Sequence, residues 1–236
     1  MRLAAVQYKA PKGAFQSALQ DIARLAEEAA LGADLVVFPE MAATGYLFES
    51  TADIAEVAEH ARGPSFAVLA PIAAAHGVWI VFGFPEVCEG RYFNSALVIN
   101  PQGELAFCYR KSLLYERDLP WATPGDSGYR VFEASWGRFG VGICMDLNDE
   151  RFVDWIRTAS LDVIAFPTNW VEEGIDVWAY WGWRLQGCSA ALVAANTSGP
   201  EEDIQFAGRS AIMRSNTIYA AAPRTGAGVI RASFDG

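Results

Sequence analysis

The feature that most constrains the fold is a recurring alternation along the chain. Short runs rich in Val, Ile and Phe end abruptly in polar or turn residues, and stretches with helical spacing of apolar residues separate several of them. The apolar runs lie at residues 3–7, 35–38, 79–83, 96–100, 141–144, 163–166 and 192–195. Continuous apolar strands that alternate with helices are typical of a sheet covered by helices. The sequence therefore predicts an α/β fold.

Local signals add helices and a hairpin to this outline. Helical spacing predicts helices over residues 15–30, 54–61, 66–75 and from a cap at Asn148 or Asp149 to Thr158. His60 and His76 then stand near helix ends, where a positive charge is favourable. A Pro-Gln-Gly turn predicts a β-hairpin over 92–108, and a last strand is expected at 228–234.

Composition bounds the kind of protein. No linker or low-complexity segment divides the 236 residues, so we expect a single domain, residues 1–236. A content of 52% hydrophobic residues disfavours disorder. The 18 basic and 28 acidic residues give a net charge of −10, which disfavours nucleic acids and anionic membranes as partners.

Cysteine usage and the N-terminus suggest a compartment. The cysteines, Cys88, Cys108, Cys144 and Cys188, form no C-x-x-C pair and have no histidine at ligand spacing, so no metal site is predicted. No apolar run approaches the roughly 18 residues of a membrane span, and the first apolar stretch is too short for a signal peptide. We therefore expect a cytoplasmic protein, where free thiols persist.

Three reactive side chains follow predicted strands. Glu40 follows the run at 35–38, Lys111 ends the hairpin, and Cys144 ends the run at 141–144. In sheets of this kind, reactive groups gather beyond the carboxyl ends of strands, so these side chains are candidates to meet. Because a helix is predicted shortly after Cys144, its N-terminal dipole is expected to favour the thiolate.

A thiol nucleophile needs a proton acceptor, and the chain has only two histidines. Their structural position at helix ends favours a carboxylate base, although a hydrolase that uses His60 or His76 remains an alternative. Burial can raise the pKa of a glutamate towards neutrality, and an ammonium can stabilise an oxyanion. The sequence motifs of serine hydrolases, P-loop proteins and dinucleotide-binding proteins are absent.

Ordered fragments along the chain carry a resemblance to a known family. They are Phe38-Pro-Glu40, Thr44-Gly-Tyr46, Phe93-Asn-Ser-Ala96, Tyr109-Arg-Lys111, Pro124-Gly-Asp126, Gly140-Val-Gly-Ile-Cys144-Met-Asp146, Pro167-Thr-Asn-Trp170 and Ala195-Asn196. Together they resemble the signature of the nitrilase superfamily, the carbon–nitrogen hydrolases, from Met1 to about Arg231.

The resemblance implies a fold and a catalytic scheme. The fold is a four-layer α-β-β-α sandwich, commonly assembled as a homodimer or a higher homo-oligomer. The scheme uses Glu40 as the general base, Lys111 as the oxyanion stabiliser and Cys144 as the nucleophile. The backbone amide of Met145 completes the oxyanion hole, and neither a metal nor an organic cofactor is expected.

Two acids, Glu116 and Asp118, are candidates for a fourth catalytic residue. Many members of the family carry a second glutamate between the lysine and the Pro-Gly turn at 124–125. The usual spacing falls on Asp118, which is one methylene shorter than glutamate, whereas Glu116 has the usual chemistry two places early. Both residues stay candidates.

Substrate preference is expected in the loops that follow the strands. Candidate substrate-binding residues are Tyr46, Met145, Asn169 and Trp170, and the aromatic residues of this region suggest a pocket with apolar walls. A second group of residues has two interpretations each. Glu172, Glu173 and Asp176 form either a site for a cationic substrate end or a solvated acidic loop, and Arg110 and Arg184 bind either a substrate carboxylate or an ion-pair partner.

The leading hypothesis is an amidase that acts on a small molecule with water as co-substrate. Amide or carbamoyl hydrolysis is favoured over nitrile hydrolysis, which would use the same triad. The rival is a non-catalytic binding protein that retains the fold. The other cysteines, Cys88, Cys108 and Cys188, are expected to be small core residues.

Overall fold

The computed structural model describes residues 1–234 as fourteen strands and five α-helices. In chain order the strands are β1 Arg2–Gln7, β2 Leu35–Val37, β3 Trp79–Cys88, β4 Arg91–Ile99, β5 Leu105–Arg110, β6 Val131–Ala134, β7 Gly137–Val141, β8 Val163–Thr168, β9 Ala191–Asn196, β10 Ser198–Glu201, β11 Ile204–Ala207, β12 Ala211–Arg214, β13 Thr217–Ala221 and β14 Gly228–Ser233. The helices are α1 Phe15–Ala30, α2 Thr51–Ala55, α3 Pro64–His76, α4 Glu150–Thr158 and α5 Val177–Arg184.

The strands form two large sheets and one small one. Each large sheet has six strands, in the orders β14-β1-β2-β3-β4-β5 and β13-β12-β9-β8-β7-β6, and β10 pairs with β11. Within each large sheet the central strands, β1-β2-β3 and β7-β8-β9, run parallel. Their carboxyl ends therefore present the loops that follow β2, β7 and β8 at one edge of each sheet.

Three apolar layers hold the sheets and helices together. The outer face of the first sheet packs on α1 and α3, with Ile22 and Leu69 against Phe82. The inner faces of the two sheets pack on each other through residues such as Val81 and Val163. A third layer joins the second sheet to α4 and α5. The predicted α-β-β-α sandwich is confirmed, because each sheet buries one face on its partner sheet and the other on helices.

Most of the predicted elements are confirmed, including α1, the hairpin β4–β5 and the helix after Asp149. Asp149 is the N-cap of α4, since its side chain accepts a hydrogen bond from the amide of Arg151. The predicted run at 141–144 ends earlier, because β7 stops at Val141 and a short 3₁₀-helix, Cys144–Asn148, begins at the cysteine.

The predicted helix over 54–61 is wrong beyond its first two residues. Helix α2 ends at Ala55, and the chain then pairs with β3: the amide of Glu59 donates to the carbonyl oxygen of Pro85 at 2.9 Å. The carboxylate of Glu59 also accepts hydrogen bonds from the amide and hydroxyl of Ser65, at the start of α3. These tertiary contacts outweigh the local helical spacing, so His60 does not stand at a helix end.

No helix in residues 1–234 is both long enough and apolar enough to cross a membrane. The predicted final strand at 228–234 is confirmed as β14 over its first six residues, which pair antiparallel with β1. Residues 235–236 of the predicted domain lie outside the described residues.

Candidate active site

Glu40 lies in the turn after β2, completely buried between the sheets. Its carboxylate accepts three hydrogen bonds: from Asn94 Nδ2 at 2.7 Å, from Lys111 Nζ at 2.7 Å and from the amide of Asn169 at 2.8 Å. Burial raises the pKa of Glu40, and the charge of Lys111 opposes this effect without cancelling it. A carboxylate with a raised pKa is suited to accept and return a proton near neutral pH.

The glycine opposite this turn allows strand β3 to approach it. A Cβ atom on Gly83 would lie 2.4 Å from the carbonyl oxygen of Pro39 and 2.5 Å from the Cα of Glu40. The two backbones are joined by hydrogen bonds from Gly83 to Pro39 and from Ala42 to Gly83. Any side chain at position 83 would therefore displace Glu40.

Lys111 follows β5 and lies between two buried carboxylates. Its Nζ donates to Glu40 Oε1 and to Asp118 Oδ2, each at 2.7 Å. Burial acts to lower the pKa of Lys111, but the charges of Asp118 and Glu40 outweigh it and raise the pKa, so the ammonium stays protonated. The backbone is held by Gly125 of the Pro-Gly turn, whose amide donates to the Lys111 carbonyl oxygen at 2.8 Å.

Cys144 is the first residue of the 3₁₀-helix and has a left-handed backbone conformation, with φ of 44°. That conformation is strained for a residue with a side chain, and such strain is concentrated at functional turns. Burial raises the pKa of the thiol, and the nearby charge of Glu40 raises it further. The predicted thiolate stabilised by a helix dipole is therefore wrong for the resting site, since burial and Glu40 outweigh one short 3₁₀-turn.

Asp146 fixes the turn that carries the nucleophile, a role that the sequence analysis missed. Its buried carboxylate accepts hydrogen bonds from the amide of Ile143 at 2.8 Å, the hydroxyl of Tyr109 at 2.7 Å and the amides of Ser112 and Leu113. It thus ties the Cys144 turn to the segment that follows Lys111. The available signal was an acid two residues after the candidate nucleophile, next to a buried strand.

The structure separates the two candidates for the fourth residue. Asp118 is completely buried, and besides Lys111 it accepts hydrogen bonds from Tyr46 Oη at 3.1 Å and Asn94 Nδ2 at 3.2 Å. Glu116 is exposed at the surface. The acid at the family's usual spacing, Asp118, is thus the one inside the site. The turn after Lys111 directs its side chain towards the lysine.

Asn94 is a second residue that the sequence analysis did not single out. It is buried on β4, and its amide nitrogen bridges Glu40 Oε1 and Asp118 Oδ1. Donation to both carboxylates holds them on either side of Lys111 and offsets part of their repulsion. The signal was a polar residue within a strand that is otherwise largely apolar.

A cavity of about 170 Å³ opens beside the nucleophile. Its lining comprises Tyr115, Cys144, Met145, Asn148, Asn169, Trp170, Val171, Glu173, Ile175 and Tyr180. Three of the predicted substrate-binding residues, Met145, Asn169 and Trp170, are among them. Tyr46 is not in this lining, because its buried hydroxyl is directed to Asp118.

The remaining candidates have structural contacts. Arg110 pairs with Glu86 at 2.7 Å and Arg184 with Glu150 at 2.9 Å, so the ion-pair interpretation describes both. Cys188 is buried in the third apolar layer, and Cys108 is half-buried and packs against the first layer. Cys88 is half-buried, so the expected core position is wrong for it. Within residues 1–234, no cluster of three or more His, Cys, Asp and Glu side chains has a metal-binding arrangement.

Comparison with known proteins gives matches of two kinds. The family model described as carbon–nitrogen hydrolase matches residues 2–235. A nitrilase from Pyrococcus abyssi is 35% identical over 189 residues, covering 77% of this chain and 68% of that protein. A protein N-terminal amidase from Schizosaccharomyces pombe is 28% identical over 229 residues, covering 79% and 80%.

The fold is also found among solved structures. An amidase from Nesterenkonia sp. AN1 superposes with a TM-score of 0.87 at 22% sequence identity, and the match covers 100% of this chain and 93% of that one. The two large sheets of the sandwich therefore have a close counterpart in an experimentally determined enzyme structure.

Proposed function

Because this chain belongs to the carbon–nitrogen hydrolase family, we propose that it hydrolyses amide bonds of small molecules with Glu40, Lys111 and Cys144 as its catalytic triad. The observation that carries the proposal is the buried Glu40–Lys111–Asp118 cluster next to a strained cysteine that opens on a cavity. Buried charges are costly, and a folded protein retains them together where they serve chemistry.

The first half-reaction forms a thioester. Glu40 takes the proton of the Cys144 thiol, and the sulfur attacks the amide carbonyl carbon. Two of the three Lys111 N–H groups are bound to Glu40 and Asp118, so the third is free to donate to the developing oxyanion. The amide of Met145, in the first turn of the 3₁₀-helix where amides lack helical partners, is the second proposed donor.

The remaining steps release ammonia or an amine and then the acid. Protonated Glu40 gives its proton to the leaving nitrogen as the C–N bond breaks. Glu40 then removes a proton from water, whose oxygen attacks the thioester carbonyl carbon. The C–S bond breaks, the thiol regains the proton, and the carboxylic acid departs. No histidine takes part, since His76 pairs with Glu27 at 2.7 Å and His60 is exposed.

Ammonia release from a panel of aliphatic amides, N-carbamoyl amino acids and nitriles tests this proposal. We expect turnover of amides, with nitriles hydrolysed more slowly or not at all. The triad itself serves either reaction, and nitrile hydrolysis to acid and ammonia is the second candidate because of the nitrilase relative. A protein that turns over no member of the panel and whose Cys144 resists iodoacetamide would instead be a binding protein.

Asp118→Asn is expected to lower kcat/KM by about 10- to 100-fold, whereas Glu116→Gln should leave it within about twofold. Asp118 makes a charge-assisted hydrogen bond to Lys111, and such bonds contribute about 1.5–3 kcal/mol. Glu116 is exposed, and replacing it removes no contact in the site. Steady-state kinetics of both variants measure the two values of kcat/KM, and circular dichroism verifies folding. An equal loss of kcat/KM in both variants would show that Asp118 contributes no more to the reaction than the exposed Glu116.

Three further proposals concern the molecule as a whole. We propose that residues 1–236 form one hydrolase domain, as the extent of the family match supports. The four unpaired cysteines support a reducing compartment such as the cytoplasm. We also propose a homodimer, on the resemblance to the nitrilase superfamily.

A further inference from the structure

Glu173 is the one charged side chain among the residues that line the cavity beside Cys144. The other lining residues are aromatic, aliphatic or neutral polar, and neither lysine nor arginine is among them. Glu173 also acts on its surroundings: its charge contributes to the raised pKa of Tyr115, after burial and the charge of Glu116. Glu173 is therefore the residue that gives the cavity lining a negative charge.

The other acids of the same loop are neutralised by partners. Glu172 pairs with Arg224 at 2.7 Å, and Asp176 pairs with Arg209 at 2.8 Å. Glu173 forms no ion pair with any residue of the described range 1–234. Two acids of the loop are thus paired with arginines, and the acid that lines the cavity has no ion pair within the described residues.

Asn169 is an independent sign that the cavity receives a hydrogen-bond donor. Only 3% of the residue is exposed, and its amide oxygen is buried without a hydrogen-bond partner among the described residues. A buried polar atom without a partner is costly, and such atoms in a site are often completed by a ligand. Asn169 lines the same cavity as Glu173, and both can accept hydrogen bonds.

Aromatic faces complete a site for a cation. Trp170 and Tyr180 lie with their ring centroids 5.4 Å apart, and both line the cavity together with Tyr115. Aromatic faces attract ammonium groups through their quadrupoles. The lining includes neither lysine nor arginine, so it offers a carboxylate no opposite charge.

We propose that the preferred substrates are amides that carry a protonated amine, with Glu173 as the residue that receives the ammonium group. This specificity rests on the proposed amidase function, which it deepens by naming the substrate class. Cationic amides are favoured over neutral amides of the same shape, and anionic amides are the poorest because no cation lines the cavity. Glu173 thus distinguishes substrates by charge and takes no part in bond cleavage.

Turnover of matched amides tests the proposal. The probes are ω-aminoalkanamides with one to five methylenes, the alkanamides in which a methyl group replaces the ammonium, and those in which a carboxylate replaces it. In the wild type, the best cationic amide should have a higher kcat/KM than the neutral and the anionic amide of the same chain length. Glu173→Gln should lower that value by about fivefold, the upper range for a partly exposed ion pair, and leave the neutral amide unchanged.

Glu172→Gln is the matched control, because it removes a neighbouring charge that already has an arginine partner. It should leave the kcat/KM of the cationic and neutral amides unaltered. High salt should weaken the preference of the wild type, since exposed charges are screened. Equal turnover of cationic and neutral amides by the wild type, or an equal loss on both in Glu173→Gln, would overturn the proposal.

A binding measurement separates this inference from the proposed function. Isothermal titration with pentylammonium chloride and with pentanol requires no catalysis. The wild type should bind the ammonium more tightly than the alcohol, and Glu173→Gln should remove the difference. Binding with this pattern but no turnover of any amide would contradict the amidase function and keep the cation site. Turnover of amides without tighter binding of pentylammonium than of pentanol would support the amidase function and contradict the cation site.

Discussion

Replacing Cys144 by alanine is expected to lower kcat/KM for every amide substrate by about four orders of magnitude or more. The reason is that the thioester cannot form without the sulfur, and removal of a catalytic nucleophile has effects of this size or larger in other hydrolases. The fold should be unaffected, because alanine fits the space and the strained backbone is held by Asp146. Ammonia release under single-turnover conditions measures the residual rate.

Cys188→Ala is the matched control for this variant. Cys188 and Cys144 are equally buried, at 6% exposure each, but Cys188 packs in the apolar layer under α5. Its replacement should cost some stability and leave kcat/KM within about twofold. Because Glu40 is proposed to take the Cys144 proton as the sulfur attacks, iodoacetamide, itself an amide, should modify Cys144 faster than the other three cysteines, which have no such base; mass spectrometry identifies the labelled residue. Full activity in Cys144→Ala would show that another residue is the nucleophile.

Lys111→Met is expected to reduce both turnover and stability. Methionine has a similar volume but no charge, so Glu40 and Asp118 would face each other without the ammonium that now lies 2.7 Å from each. Removal of one member of a buried ion pair costs about 3–5 kcal/mol of the free energy of unfolding. Loss of an oxyanion donor lowers kcat by a further factor of about 10² to 10³. Urea denaturation and steady-state kinetics measure the two effects separately.

A second variant distinguishes catalysis from folding at this site. The double replacement Lys111→Met with Asp118→Asn removes one of the two stranded carboxylates, so it should regain part of the stability and none of the activity. Arg117→Met is the surface control: Arg117 pairs with Asp203, but both side chains are largely exposed, and the expected cost is below about 1 kcal/mol. Recovery of turnover in the double variant would show that Lys111 acts only through stability.

The sequence patterns predicted an α/β fold with helices packed on a sheet, and the family resemblance implied the four-layer sandwich and the proposed triad of Glu40, Lys111 and Cys144. Apolar runs that alternate with helices have few folded solutions, since each sheet must bury both faces. Positions after strands marked Glu40 and Cys144 as candidates to meet, but these residues follow β2 and β7 of different sheets, so the packing of the two sheets brings them together. Lys111 joined them at the end of a hairpin whose turn chemistry is strong.

The tertiary structure decided the contacts that depend on how loops fold over the sheet edge. Spacing left Asp118 and Glu116 as alternatives, and only the turn after Lys111 shows which carboxylate is buried. The bridging role of Asn94 and the direction of the Tyr46 hydroxyl are likewise set by contacts between distant segments. The succession of strands and helices along the chain follows from periodic patterns, whereas the order of strands within each sheet and the burial of each site residue depend on neighbours brought together only by folding.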